Sequence, residues 1–188
     1  MQSFADTDTI NTTDTTDTMN TNNPPYTDDD YCAILKQVFE ASFNVQIIGG
    51  AEEPFYQAPT KNTPAIIYYK ANYPRSLLHE MAHYCLAGQK RRQLDDYGYW
   101  YAPCGRTAEQ QQAFENVEAR PQALEKAFCQ HIGLPFCPSL DDFSGKQASE
   151  TFVHALKKHH ESMMTNPPPS AKKALQALSQ CHVMLKQT

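Results

Sequence analysis

The segment 74–88, with the sequence PRSLLHEMAHYCLAG, constrains the fold more than any other part of the chain. Pro74 is well placed in the first turn of a helix, and Gly88 provides a stop signal. Between them the apolar side chains recur at helical spacing, as Leu77, Leu78, Met81, Ala82, Cys85 and Leu86. The segment is therefore predicted to be an amphipathic helix with one buried face.

The polar face of this predicted helix carries the motif H-E-x-x-H, formed by His79, Glu80 and His83. Residues four apart lie one turn above each other on a helix, so the two imidazoles are placed to share one metal ion. Glu80 lies three residues before His83, near the same face, where its carboxylate can act as acid or base on a metal-bound water. The alternative is a polar helix face with two ordinary histidines.

Two histidines leave a metal incompletely coordinated, and sites of this kind usually add a carboxylate from another element. Glu115 and Glu118 are the candidates, on a helix predicted to begin with a capping box at Thr107 and Gln110. We prefer Glu118 as the third ligand and keep Glu115 as the alternative, or as a carboxylate that supports a histidine. For either residue alone, a solvated surface carboxylate is the simpler interpretation.

The rest of the chain predicts an α+β fold, a helix-rich single domain with a small sheet. Two β-branched runs, 45–48 and 65–69, are predicted strands separated by the Pro- and Asn-containing segment 54–64. Further helices are predicted at 29–43, at 107–133 with a kink or restart at Pro121, at 149–163 and at 170–186. The metal helix is zincin-like, and the other histidines form no H-x-D pattern, so a jelly roll is not indicated.

Composition divides the chain into two parts. Residues 1–28 are rich in Thr, Asp and Asn and are predicted to be a disordered tail, whereas 29–188 are predicted to be the folded domain. The net charge of −5 comes largely from acidic residues near the N-terminus, and the remaining chain is mildly basic. Its cluster Lys90, Arg91 and Arg92 is interpreted either as a surface for an acidic partner or as a solvated helix end.

No secretory signal and no apolar run long enough for a membrane span is evident, so we expect a cytoplasmic protein that does not contact membranes. The six cysteines form no Cys-x-x-Cys pair and are expected to be reduced. Cys85 and Cys129 fall within apolar helical patterns, which predicts buried, inert thiols. Four aromatic residues lie close together in the sequence, Tyr97, Tyr99, Trp100 and Tyr101. They are interpreted as lining a substrate cleft or, as is more common for such clusters, as part of the core and interface.

Two longer segments resemble the elongation factor P hydroxylase family. They are LLHEMAHYCLAGQKRRQLDDYGYWYAPCGRT at 77–107 and FENVEARPQALEKAFC at 114–129, and the resemblance extends over about 31–143. It joins the metal motif to the GYWY and RPQAL segments in the order that the family has. The departures are Ala82 for Ser, Tyr84 for Trp, Tyr97 for Phe and Cys104 for Asp.

The resemblance implies a cytosolic bacterial monooxygenase that hydroxylates the β-lysylated lysine of elongation factor P, with dioxygen as cosubstrate. It implies Fe(II) held by His79, His83 and Glu118, with Glu80 as a catalytic or supporting carboxylate. Elongation factor P would be the partner, docking near 90–92, and no direct contact with nucleic acid is expected. The sequence alone does not identify the metal, the electron donor or the oligomeric state.

Two other functions fit the same motif. Zinc held by the same three ligands describes a metallopeptidase in which Glu80 is the general base. A non-catalytic binding domain with a degenerate or structural site is the third hypothesis. The residues alone favour zinc hydrolysis, and the resemblance favours hydroxylation.

Overall fold

The computed structural model describes residues 26–98, 106–140 and 148–186. The helices are α1 (Asp28–Ser42), α2 (Pro74–Leu86), α3 (Ala108–Ile132), α4 (Glu150–Thr165), α5 (Pro169–Leu178) and α6 (Cys181–Leu185). The strands are β1 (Val45–Ala51), β2 (Phe55–Gln57) and β3 (Ala65–Lys70). This arrangement confirms the predicted helix-rich α+β class. Some predicted features lie outside the described residues. They are the predicted tail up to residue 25, three residues of the aromatic cluster (Tyr99, Trp100 and Tyr101) and Cys104.

The sheet has the order β1-β3-β2, with β1 parallel and β2 antiparallel to the central strand β3. Ile47 pairs with Ile67, and both side chains are fully buried, which accounts for the β-branched pattern of these strands. The segment 54–64, placed between the two predicted strands, contains a third strand at Phe55–Gln57 that was not predicted. A three-residue edge strand has too short an alternation to be recognised from sequence, and its pairing with β3 decides its conformation.

Helix α2 buries most of its apolar face. Leu77, Leu78, Met81 and Ala82 have no exposed surface, and α2 packs against α1, α3, α5 and β3. The Pro74 start is confirmed, because Pro74 occupies the first turn. Burial on one side leaves the opposite face, which carries the two motif histidines, to meet α3.

Helix α3 runs from the predicted capping box at Thr107 and Gln110 to Gly133, which adopts a left-handed conformation with φ 77°. It continues through Pro121, so the predicted restart at that residue is wrong. Proline removes one backbone hydrogen bond, and the helix tolerates this loss because α3 packs along its length against α2 and α4. An unbroken α3 keeps residues before and after Pro121 on a common face.

The predicted helix 170–186 is instead two helices, α5 and α6. The hydroxyl of Ser179 donates to the carbonyl of Leu175, and the backbone N–H of Gln180 bonds to Ala177, which tightens and ends α5. The main core lies between the sheet, α1, α2, the C-terminal half of α3 and α5. Within the described ranges, no helix has the length and apolar character that crossing a membrane requires.

Candidate metal centre

The two motif histidines face each other across one turn of α2. Nε2 of His79 lies 3.1 Å from Nε2 of His83, and the ring planes are inclined by 70°. The side chains keep 24% and 13% of their surface exposed, in contrast to the closed apolar face behind them. Both imidazoles therefore direct a nitrogen at the same partly accessible point.

Glu118 of α3 reaches that point from the other side. Its Oε2 lies 3.4 Å from Nε2 of His79 and its Oε1 lies 3.3 Å from Nε2 of His83, while only 3% of the side chain is exposed. One donor atom from each of the three residues lies within 4.8 Å of the others. The structure thus brings together the three residues that were predicted as ligands.

The donor set fits a divalent cation. Two ligands at right angles around an ion with bonds of about 2.1 Å are about 3 Å apart, close to the separations found here. Oε2 of Glu118 is buried and has no hydrogen-bond partner among the described residues. A buried carboxylate oxygen without a partner is costly, and a metal ion is one way to satisfy it.

The charges in the site favour an ionised ligand carboxylate. Burial by itself raises the pKa of Glu118, but the charges of His83 and His79 outweigh it and the net pKa is lowered. The pKa of the Glu80 carboxyl is raised, because burial outweighs the opposing charges of the two histidines. A carboxyl with a raised pKa is suited to taking up and returning a proton. Whether Glu80 has that role stays a prediction.

Glu115, the alternative third ligand, has different partners. It accepts a hydrogen bond from the Ser149 hydroxyl, which also caps α4, and the Gln111 amide lies 3.5 Å away. Glu115 therefore connects α3 to the start of α4 rather than to the histidines. The geometry favours Glu118 over Glu115, although ligation itself stays a prediction.

Tyr97 forms an aromatic wall beside the histidines. Its ring is parallel to that of His83 within 14°, at 6.3 Å, and stacks on Tyr56 at 4.1 Å. Both Asp96 and Tyr97 have positive φ, and the turn is held because Asp96 accepts from the backbone N–H of Tyr56 at 2.8 Å. Of the predicted aromatic cluster, Tyr97 is thus buried beside the site.

Sequence analysis missed two residues next to the site, Glu125 and Arg75. Glu125 is buried and its Oε2 lies 2.9 Å from Nδ1 of His79, while Arg75 lies 3.6 Å from its other oxygen. A signal was present, because Glu118, Gln122 and Glu125 recur at four and three residues on one helical face. A stripe of polar residues that is buried indicates partners across a helix interface.

The basic cluster at 90–92 does not form a uniform charged surface. Arg92 donates to the Tyr84 carbonyl and to the Ser170 hydroxyl, both at 3.0 Å, and its guanidinium lies 4.2 Å from the Tyr84 ring centre. Arg91 donates to the carbonyl of Tyr97 at 3.0 Å. Arg92 therefore joins α2 to α5, and the interpretations of the cluster as a docking surface or as a solvated helix end stay predictions.

Comparison with known proteins gives two findings. The sequence profile described as elongation factor P hydroxylase matches residues 34–187. A protein of Haemophilus influenzae named elongation factor P lysine hydroxylase is 41% identical over 118 residues, which is 62% of this chain. The match spans 66% of that relative's own length, just under two thirds.

Proposed function

This chain belongs to the elongation factor P hydroxylase family, and from that premise we propose that it hydroxylates a lysine side chain of elongation factor P. We further propose that the substrate is the lysine that already carries a β-lysyl group. The observation that supports the proposal is the convergence of His79, His83 and Glu118 inside the matched region.

We propose Fe(II) as the metal. Two imidazoles and one carboxylate on one side of an ion are typical of Fe(II) oxygenases, because the remaining positions stay open. When bound, Fe(II) would supply the activation of dioxygen that an unactivated C–H bond requires. In the overall reaction one oxygen atom enters the product as hydroxyl, and the other leaves as water after two electrons and two protons are taken from a reductant.

The chain's own residues would bind and shield the reacting centre. Glu118 stays ionised because the neighbouring histidines lower its pKa, so it brings negative charge to the cation. Glu80 would hold or release a proton beside the site, as its raised pKa favours. The ring of Tyr97 would lie beside His83, with its plane within 14° of the imidazole plane, as an apolar neighbour of the reacting centre.

A zinc metallopeptidase remains the second candidate, because zinc also accepts two histidines and a carboxylate. In that function Glu80 would accept a proton from the attacking water. The H-E-x-x-H motif favours it, whereas the family membership favours hydroxylation. A non-catalytic domain would require neither histidine for its function.

The test uses the full chain, purified without oxygen and analysed for bound metal. Reconstituted with Fe(II) and a reductant, it should add one oxygen atom to β-lysylated elongation factor P, as seen by mass spectrometry. His83→Ala should abolish this addition, and Glu115→Gln, which alters a carboxyl that faces α4, should retain it. An unchanged substrate mass with the metal-loaded wild type would contradict the proposal. Zinc-dependent cleavage of an unfolded peptide, lost in Glu80→Gln, would support the second candidate.

A further inference from the structure

We propose that Glu125 is a positioning residue that holds His79 by its Nδ1 atom and so directs Nε2 of that ring at the metal. The inference rests on the proposed metal site and adds a residue that neither the motif nor the resemblance assigns. It also assigns one tautomer to His79, with the proton on Nδ1.

The hydrogen bond between the two side chains determines the tautomer. Oε2 of Glu125 lies 2.9 Å from Nδ1 of His79, and only 4% of the Glu125 side chain is exposed. This separation fits donation of a hydrogen bond from Nδ1 to the carboxylate oxygen, the arrangement that carboxylates behind metal-binding histidines usually adopt. The other nitrogen, Nε2, faces His83 and Glu118, the two other proposed ligands.

One helix supplies both carboxylates. Glu118 and Glu125 are seven residues apart on α3, which places them two turns apart on the same face. Glu118 lies beside Nε2 of His79 and Glu125 lies beside Nδ1, so α3 contacts both nitrogens of one imidazole. A ring held at both nitrogens cannot rotate about its χ2 bond without losing a contact.

Arg75 anchors the second oxygen of Glu125. Its Nη2 lies 3.6 Å from Oε1 of Glu125 and donates to the carbonyl of Cys137 at 2.5 Å, and the guanidinium lies 5.9 Å from the Phe136 ring centre. Arg75 is one turn before His79 on α2. A buried carboxylate needs such partners, and these leave Glu125 oriented toward the imidazole.

A purely structural tie between α2 and α3 is the competing explanation, and matched variants separate the two. Glu115 is also a buried carboxylate of α3, but it bonds to Ser149 and not to a histidine. Glu125→Leu and Glu115→Leu each remove one buried carboxylate from the same helix. Glu125→Gln and Glu115→Gln do so with almost no change in side-chain shape.

The first measurement is the affinity for Co(II), titrated into the metal-free full chain against a chelator and followed by its visible absorption. Loss of a carboxylate behind a histidine ligand typically weakens metal binding by about 10–100-fold, so Glu125→Leu is expected in that range. Glu125→Gln is expected to lose only a few-fold, because its amide oxygen still accepts from Nδ1. Both Glu115 variants should bind Co(II) like the wild type.

The second measurement reports the tautomer directly. In zinc-loaded protein with ¹⁵N-labelled histidine, NMR should show a slowly exchanging proton on Nδ1 of His79. Glu125→Gln should retain that proton, and Glu125→Leu should lose its protection from exchange. If Glu125→Leu does not fold, Glu125→Gln decides. An amide oxygen is a weaker acceptor than a carboxylate, so this variant should keep the Nδ1 proton but bind Co(II) a few-fold more weakly and exchange that proton faster than Glu115→Gln does.

The inference would be overturned if Glu125→Leu bound Co(II) as tightly as Glu115→Leu and Glu125→Gln as tightly as Glu115→Gln. A proton on Nε2 of His79 would also overturn it. These outcomes are distinct from failure of the proposed function. A wild type that binds Co(II) tightly and never hydroxylates elongation factor P would remove the function and leave the role of Glu125 standing. An active wild type whose Glu125 variants bind Co(II) like the wild type would leave the proposed function standing and remove the role of Glu125.

Discussion

Oε1 of Glu118 lies 3.3 Å from Nε2 of His83, so a residue of α3 closes a site that α2 alone leaves open. Neither helix is sufficient by itself. The candidate centre depends on the packing of α2 against α3, and the buried face of α2 keeps the two helices in contact.

Replacing Glu118 should remove metal binding, whereas replacing Glu115 should not. Glu118→Ala takes away one of three donors, and we expect the affinity for Fe(II) or Co(II) to fall more than about 100-fold, beyond the loss typical of residues that only support a ligand. Isothermal titration of the metal-free protein measures this change. Comparable losses in Glu118→Ala and Glu115→Ala would show that the carboxylate ligand was assigned wrongly.

Tyr97→Phe should stabilise the fold. The Tyr97 hydroxyl is buried and has no hydrogen-bond partner among the described residues, and such a group costs about 1–3 kcal/mol. Because Phe keeps the stacked ring, we expect the free energy of unfolding to rise by about 1 kcal/mol.

Urea denaturation of the two proteins measures this difference, and Tyr73→Phe is the control. Tyr73 is 56% exposed, so removing its hydroxyl should leave stability unchanged. A loss of stability in Tyr97→Phe would mean that the hydroxyl has a partner in solution.

Arg92→Met should destabilise the protein by about 1–3 kcal/mol, because it removes two hydrogen bonds and a cation–π contact. Lys90→Met is the matched control, since Lys90 is exposed and precedes Arg92 in the same basic cluster. Thermal unfolding of both variants tests the difference. Equal effects would mean that Arg92 contributes through its charge alone.

The cysteines should differ sharply in their reaction with an alkylating reagent at pH 8. Burial raises the pKa of Cys85 and of Cys129 to about 12, so both stay protonated thiols well above neutral pH. Cys137 is exposed and should be modified first. Peptide mapping by mass spectrometry locates the adducts, and it distinguishes Cys137 from Cys104, which lies outside the described residues.

Cys137→Ser should remove the early adduct at position 137 and leave the slow modification of the buried cysteines unchanged. Buried thiols should react only as the protein unfolds, so their rates should rise together in urea. Rapid native-state modification of Cys85 would contradict the burial on which this prediction depends.

Patterns within one helix could be read directly from the residues. The start of α2 at Pro74, the capping box at Thr107 and the apolar spacing that includes Cys85 are all set within a few turns of one helix. The spacing of His79 and His83 is local for the same reason, because a helix has a constant period.

Contacts between distant segments were predicted less well. β2 was missed because three residues have no pattern of their own and depend on pairing with β3. Helix α3 passes through Pro121 because neighbouring helices compensate for the lost hydrogen bond. The aromatic neighbours of the site were named only as a group, and the stacking of Tyr97 on Tyr56 depends on a turn with positive φ.

The sequence by itself determined that two imidazoles project from one face of a helix, since the helical period leaves no other arrangement. The tertiary structure decided which acidic residues of α3 meet them: Glu118 at Nε2, Glu125 at Nδ1 and Glu115 at neither. The physical reason is that the depth and rotation at which two helices pack depend on all the side chains at their interface. Spacing within one helix shows which residues share a face, but it does not show which atoms of the neighbouring helix those residues meet.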